Sequence, residues 1–216
     1  MSRALVFDLD GVLMDTENVW AEVKQEVVTA SGGRWRDDAP GRMIGMSSPE
    51  WSEFLRVELG VPMEAEAINA EVVRRVEEHL RRELPLIDGA PEAVERMAAV
   101  LPLGLASSAN REIIDLFLEL SGLGELITVS VSSEEVARGK PAPDVFLEAV
   151  RRLGADPSRS VAVEDSDSGI RAAHAAGMRV LALPNPDYPP DPEALAKADV
   201  VLDSLADLTP ERALAR

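Results

Sequence analysis

The sequence predicts an α/β fold: a doubly wound parallel sheet with an all-helical lobe inserted near its start. Three observations carry this expectation. The run Ala4-Leu5-Val6-Phe7 is apolar, ends on Asp8 and reads as a buried parallel strand. From residue 86 onward, short apolar runs alternate with helical periodicity, the pattern of strand–helix–strand units. Between Thr16 and Leu84, by contrast, no segment reads as a strand.

Taken in order, the first strand is followed by a turn at Gly11 and then by a helix from Glu17 to Ser31, with Val19, Val23, Val27 and Val28 at helical spacing and Gly32-Gly33 as its stop. Residues 34–48 read as irregular. A second helix runs from Pro49, a good first-turn residue, to Leu59. A third, from Met63 to Leu84, carries the stripe Ile68, Val72, Val76 and Leu80. Alternation then resumes: a helix from Ala90 to Val100, a strand from Leu103 to Ala106 ending in Ser107-Ser108, a helix from Asn110 to Ser121 and a strand from Leu126 to Val131. Gly139-Lys140-Pro141 leads into a helix ending at Leu153, with Lys140 at its start. The strand Val161 to Val163 ends in Glu164-Asp165, and a helix follows from Ser166 to Ala176. Strands at Arg179 to Leu183 and Val200 to Leu202 complete the reading, with a proline-rich surface loop between Asn185 and Pro192.

Composition narrows the function. The chain has 216 residues, 46% of them hydrophobic, enough for a substantial core. It has no cysteine, which excludes disulfides, thiolate metal sites and a Cys nucleophile. A formal net charge of −17 argues against nucleic acid or an anionic membrane as partner. No secretory signal or membrane-spanning run is read at the sequence level, so a cytoplasmic location is expected. Lysine occurs only at Lys24, Lys140 and Lys197, so any cation near a site matters for an anionic substrate. The two histidines, His79 and His174, have no partner at zinc-ligand spacing. Trp20, Trp35 and Trp51 all fall in the helical insertion and read as packing groups.

Chemistry concentrates at the ends of the expected strands: Asp8 and Asp10, Ser107, Lys140, and Glu164 with Asp165. Open α/β sheets bind ligands at the carboxyl ends of their strands. Two carboxylates at the end of a buried strand are costly without compensation, and a divalent cation supplies it. The pair therefore reads as half of a metal site, with one acid free for covalent chemistry.

Together these motifs resemble the haloacid dehalogenase superfamily, in particular its magnesium-dependent phosphatase and phosphomutase branch. The resemblance rests on Phe7-Asp8-Leu9-Asp10-Gly11-Val12-Leu13 with Asp15-Thr16-Glu17, on Leu105-Ala106-Ser107-Ser108, on Gly139-Lys140-Pro141 with Pro143-Asp144, and on Val163-Glu164-Asp165-Ser166 with Gly169-Ile170. It implies a Rossmann-like core of residues 1–15 and 86–216 and a helical cap of residues 16–85. It further implies that Asp8 takes the phosphoryl group as an aspartyl phosphate and that Asp10 is the acid and base. Mg²⁺ would be held by Asp8, the Asp10 backbone carbonyl and Asp165, with Glu164 nearby. Ser107, Ser108 and Lys140 would hold the phosphoryl oxygens. Carboxylate oxygens suit a hard cation, and a loose phosphoryl transition state requires positioning and charge neutralisation.

The resemblance also bears on the reaction. Asp10 favours phosphate esters over the dehalogenase and phosphonate-cleaving branches. The β-phosphoglucomutase group carries a His four residues after the threonine matching Thr16, plus a Lys and an Arg around the glycine matching Gly45. Here those places hold Trp20, Ile44 and Ser48. The expectation is a phosphatase for a small phosphorylated metabolite. The alternatives are a sugar phosphomutase and a non-catalytic phospho-ligand binder. From the cap, Arg42 is the expected substrate-reading cation, with Ser47 and Ser48 beside it. Neither the individual ester nor the oligomeric state follows from the sequence.

Overall fold

The computed structural model describes residues 2–43, 46–186 and 189–215. Its centre is a six-stranded sheet of β1 (Leu5–Phe7), β2 (Leu103–Ser107), β3 (Ile127–Ser132), β4 (Val161–Glu164), β5 (Arg179–Ala182) and β6 (Val200–Val201). The strand order is β3-β2-β1-β4-β5-β6, with every pair parallel. This is the doubly wound arrangement expected from the alternating pattern. Strand order reverses between β1 and β4, so the carboxyl ends of those two strands flank the ligand crevice.

Side chains of β1 alternate between two buried layers. Leu5 and Phe7 join the layer that holds Val27, Val72, Ile113 and Phe117. Ala4 and Val6 join the layer that holds Val145, Phe146, Ile170 and Ala173. Both faces are covered, which is why the strand reads as an unbroken apolar run. Three helices pack around the sheet between its first four strands: α5 (Ala90–Ala98), α6 (Arg111–Ser121) and α7 (Asp144–Arg152). α8 (Asp167–Ala175) follows β4.

After β1 the chain turns tightly. Gly11 adopts φ +77°, a left-handed conformation that favours glycine, and its N–H donates to the Met14 carbonyl at 2.7 Å. The chain then enters α1 (Glu17–Ala30), α2 (Ala39–Met43), α3 (Ser48–Val57) and α4 (Ala65–Arg82), with α4 packed against both α1 and α3. Ile68, Val72, Val76 and Leu80 are buried, as their spacing predicts. The outgoing and returning crossings lie side by side: Asp15 N–H donates to the Pro85 carbonyl at 2.8 Å, and Ile87 N–H to the Leu13 carbonyl at 3.1 Å.

Three local expectations change. Part of the stretch 34–48 expected to be irregular is the helix α2, because Pro40 sits in its first turn, where a missing N–H costs nothing. Ile44 and Gly45 lie outside the described residues. Lys140 is not at a helix start; it sits in a turn closed by Ala142 N–H on the Gly139 carbonyl, ahead of α7. The loop expected over 185–192 ends in α9 (Pro192–Leu195), capped by Asp191, whose carboxylate accepts the Ala194 N–H at 2.7 Å; Asp187 and Tyr188 lie outside the described residues. A last helix, α10 (Pro210–Leu214), follows β6.

Candidate active site

Asp8 stands one residue beyond β1 and is anchored through its N–H to the Val163 carbonyl of β4 at 2.9 Å. Lys140 Nζ bridges two carboxylates, lying 2.7 Å from Asp8 Oδ1 and 2.6 Å from Glu164 Oε1. The far oxygen of Glu164 accepts the N–H groups of Asp165 and Ser166 and the Ser166 hydroxyl. Glu164 is thus fully used, its two oxygens tying Lys140 to the turn before α8. Gly169 makes room for this: a Cβ there would collide with both Glu164 oxygens.

Asp8, Glu164 and Asp165 are all buried, and one carboxylate oxygen from each lies within 4.8 Å of the others. One ammonium faces three carboxylates. Burial, reinforced by the charge of Glu164, lifts the Asp8 carboxyl to about 7. Burial and the charges of Glu164 and Asp8 hold Asp165 well above the usual carboxylate range. Burial alone would lower Lys140, but Asp8 and Glu164 more than reverse this and keep it an ammonium. The Asp165 carboxylate accepts no hydrogen bond from any described residue, and Gly11 leaves it space that a Cβ would fill. An all-oxygen cluster with uncompensated negative charge and an open flank fits a hard divalent cation.

Asp10 is held from the insertion. The Thr16 hydroxyl and the Trp20 indole N–H, the latter at 3.2 Å, both donate to Asp10 Oδ1. Oδ2 is left without a donor from any described residue. These groups border a cavity of about 160 Å³ lined from both sides. The sheet side supplies Asp8, Asp10, Lys140, Asp165, Ser108 and Asn110; the helical side supplies Trp20, Lys24, Met43, Met46, Ser48 and Trp51. A buried contact joins the two sides: the Ser48 hydroxyl donates to Asn110 Oδ1 at 2.9 Å, while the Asn110 amide donates to Glu134 at 2.7 Å.

Residues 5–183 match the family described as haloacid dehalogenase-like hydrolase. The chain belongs to that family. It is 32% identical over 212 residues to hexitol phosphatase B of Escherichia coli (strain K12), covering 95% of this chain and 94% of that protein. It is 29% identical to the bifunctional riboflavin kinase/FMN phosphatase of Arabidopsis thaliana, but spans 56% of that longer protein's length. The structure of CbbY from Rhodobacter sphaeroides in complex with phosphate is similar over 100% of both chains, with a TM-score of 0.87 and 28% identity.

On this haloacid dehalogenase-like framework, the structure brings Asp8, Asp10, Lys140, Glu164, Asp165 and Ser108 to one place. Ser107 is fully buried behind it, its hydroxyl oxygen accepting the Ala109 N–H at 2.9 Å, and it does not line the cavity. Arg42 does not reach the cavity either. Its guanidinium lies over the Phe54 ring at 4.6 Å and 3.6 Å from Glu58. Ser47 is taken up at the start of α3, bonded to Glu50. The residues of the helical insertion that do face the cavity include Trp20 and Lys24. The sequence carried one signal for Lys24: a scarce lysine set among Val23, Val27 and Val28 on the buried face of its helix.

Among the described residues, no helix is long and apolar enough to cross a membrane.

Proposed function

We propose that this chain is a Mg²⁺-dependent phosphatase that hydrolyses a small organic phosphate monoester through an aspartyl phosphate on Asp8. One observation carries the reading: a buried Asp8 held between Lys140 and an Asp165 that receives no hydrogen bond from any described residue, at the floor of a small cavity. The relatives' printed names, hexitol phosphatase among them, support a phosphorylated metabolite as substrate. The cavity volume, below the roughly 300–1,000 Å³ of sites for drug-sized ligands, supports a small one.

Asp8 attacks phosphorus in line, and the bond from phosphorus to the ester oxygen breaks. Asp10 gives its proton to the departing oxygen, using the Oδ2 atom that Thr16 and Trp20 leave open. Asp10 then takes a proton from water as that water attacks the aspartyl phosphate, releasing phosphate and restoring Asp8. Lys140 neutralises charge at Asp8 and the phosphoryl oxygens, and Glu164 positions Lys140. Asp8, Asp165 and the Asp10 carbonyl would hold Mg²⁺, which supplies neutralisation of the phosphoryl oxygens when bound. Glu164, whose oxygens are already committed, fits a positioning role better than that of a ligand. Ser108 is the serine available to the phosphoryl group from the cavity wall. Residues 16–85 act as a cap that excludes water when closed, over a hinge at the paired crossings near Asp15 and Pro85.

Trp20 stands where the mutase group carries its His, and its indole is already committed to Asp10. This favours hydrolysis over phosphoryl return to a sugar. The reading is tested by screening purified protein against a panel of phosphate monoesters, with Mg²⁺ and with chelator. Release that requires Mg²⁺ supports it; binding of the esters without release supports a non-catalytic binder.

A further inference from the structure

Lys24 has no part in the chemistry above, yet its side chain lines the same cavity. The residue is only 8% exposed. Its Nζ lies 4.8 Å from the Trp51 ring centroid and 5.3 Å from that of Trp20. The two indoles stand 6.3 Å apart, tilted around the ammonium. No described residue accepts a hydrogen bond from Nζ or forms an ion pair with it. Burial pulls its pKa down to about 8, with the charge of Asp10 acting in the other direction.

Indole faces attract a cation but accept none of the three ammonium hydrogens in a strong hydrogen bond. A buried ammonium left in that state is costly, so the cavity is completed by a ligand that brings anionic oxygens to it. On the phosphatase reading the transferring phosphoryl group has its own ammonium, Lys140, 2.7 Å from Asp8 on the sheet side. Arg42 does not compete, being turned to Phe54 and Glu58.

Resting on the phosphatase reading, we infer that Lys24 is the specificity-determining residue of the cap, and that the leaving group carries a second anionic group, a carboxylate or a second phosphate, which pairs with Lys24 Nζ between Trp20 and Trp51. The two aromatic walls confine that group to one position and keep water from it.

Three esters on one three-carbon skeleton test this: 3-hydroxypropyl phosphate, 2-carboxyethyl phosphate and propane-1,3-diyl bisphosphate. Wild-type protein with Mg²⁺ is expected to prefer at least one of the two charged esters over the hydroxyl ester by about tenfold or more in kcat/KM. Which one it prefers separates carboxylate from phosphate. Lys24→Met is expected to cut that preference about 10- to 100-fold, mainly through KM, the range for a charged hydrogen bond. Lys24→Arg restores part of it. No wild-type preference, or an equal loss on all three esters in Lys24→Met, overturns the assignment. Quenching of tryptophan fluorescence by each ester gives affinities without turnover. If wild type hydrolyses none of the esters, nor p-nitrophenyl phosphate, the phosphatase reading fails, and the titration still decides on Lys24. Tighter binding of a charged ester that is lost in Lys24→Met supports the assignment; equal binding of all three overturns it.

Discussion

The indole N–H of Trp20 donates to Asp10 Oδ1 at 3.2 Å, so a residue of the helical insertion orients the acid that stands two positions beyond Asp8. Thr16, at the crossing into the insertion, donates to the same oxygen. The position of the insertion over the sheet and the aim of Asp10 are thereby linked.

Trp20→Phe keeps an aromatic wall beside Lys24 but removes the donor. Turnover of p-nitrophenyl phosphate is expected to fall about 3- to 10-fold, as for loss of one hydrogen bond that orients a proton-transfer group. Both formation and breakdown of the aspartyl phosphate slow, while Mg²⁺ affinity stays near wild type. Rapid-quench kinetics combined with Mg²⁺ titration checks this. An unchanged rate would separate Trp20 from the chemistry.

Gly169→Ala sets a methyl group against the Glu164 carboxylate, which must swing away from Lys140. The displaced atoms are the end of a side chain, so the helix itself survives. Activity is expected to drop about a hundredfold or more, with a Tm lowered by several degrees because a buried ion pair is broken in a protein that still folds. Assay and thermal melting of one preparation decide it. Full activity would mean that Glu164 is dispensable for placing Lys140.

The carboxylate cluster makes stability depend on pH and metal together. In the metal-free protein Asp8 is raised from 3.8 to about 7, first by burial and then by Glu164. Between about pH 4 and 7 the folded state therefore binds more protons than the unfolded state, and stability falls as pH rises through that window. A divalent cation replaces those protons, so Mg²⁺ is expected to raise Tm more near pH 7.5 than near pH 5. At a hundredfold excess over Kd the gain is about 2.7 kcal/mol, several degrees for a chain of this size. Melts with Mg²⁺ and with chelator at both pH values test it. Equal gains would contradict a metal site at Asp8 and Asp165.

Much of this was legible in the sequence, for a physical reason. β1 is buried on both faces, so it appears as a continuous apolar run, and the polar residues that end it stand out. The same holds for Glu164-Asp165 after β4. Parallel order then brings those strand ends together without any knowledge of side-chain contacts. The face of the helical insertion was not legible in this way. Whether Arg42 or Lys24 enters the cavity depends on how α1, α2 and α3 pack over the sheet, and Arg42 is drawn off by Phe54 and Glu58. Trp20 and Trp51 read as packing groups because an indole looks the same in sequence whether it fills a core or walls a cavity. The helix α2 was hidden by Pro40 and Gly41, residues that disfavour a helix interior but are tolerated in a first turn.

If Asp8 takes the phosphoryl group, replacing it with Asn must stop turnover, so wild type is compared with Asp8→Asn. The substitution keeps size and removes the attacking charge. The measurement is phosphate release from p-nitrophenyl phosphate in the presence and absence of Mg²⁺, together with a melting curve for each protein. Mg²⁺-dependent release by wild type, reduced about a thousandfold or more in a folded Asp8→Asn protein, is the predicted result. Release by folded Asp8→Asn at a rate close to wild type would contradict the account.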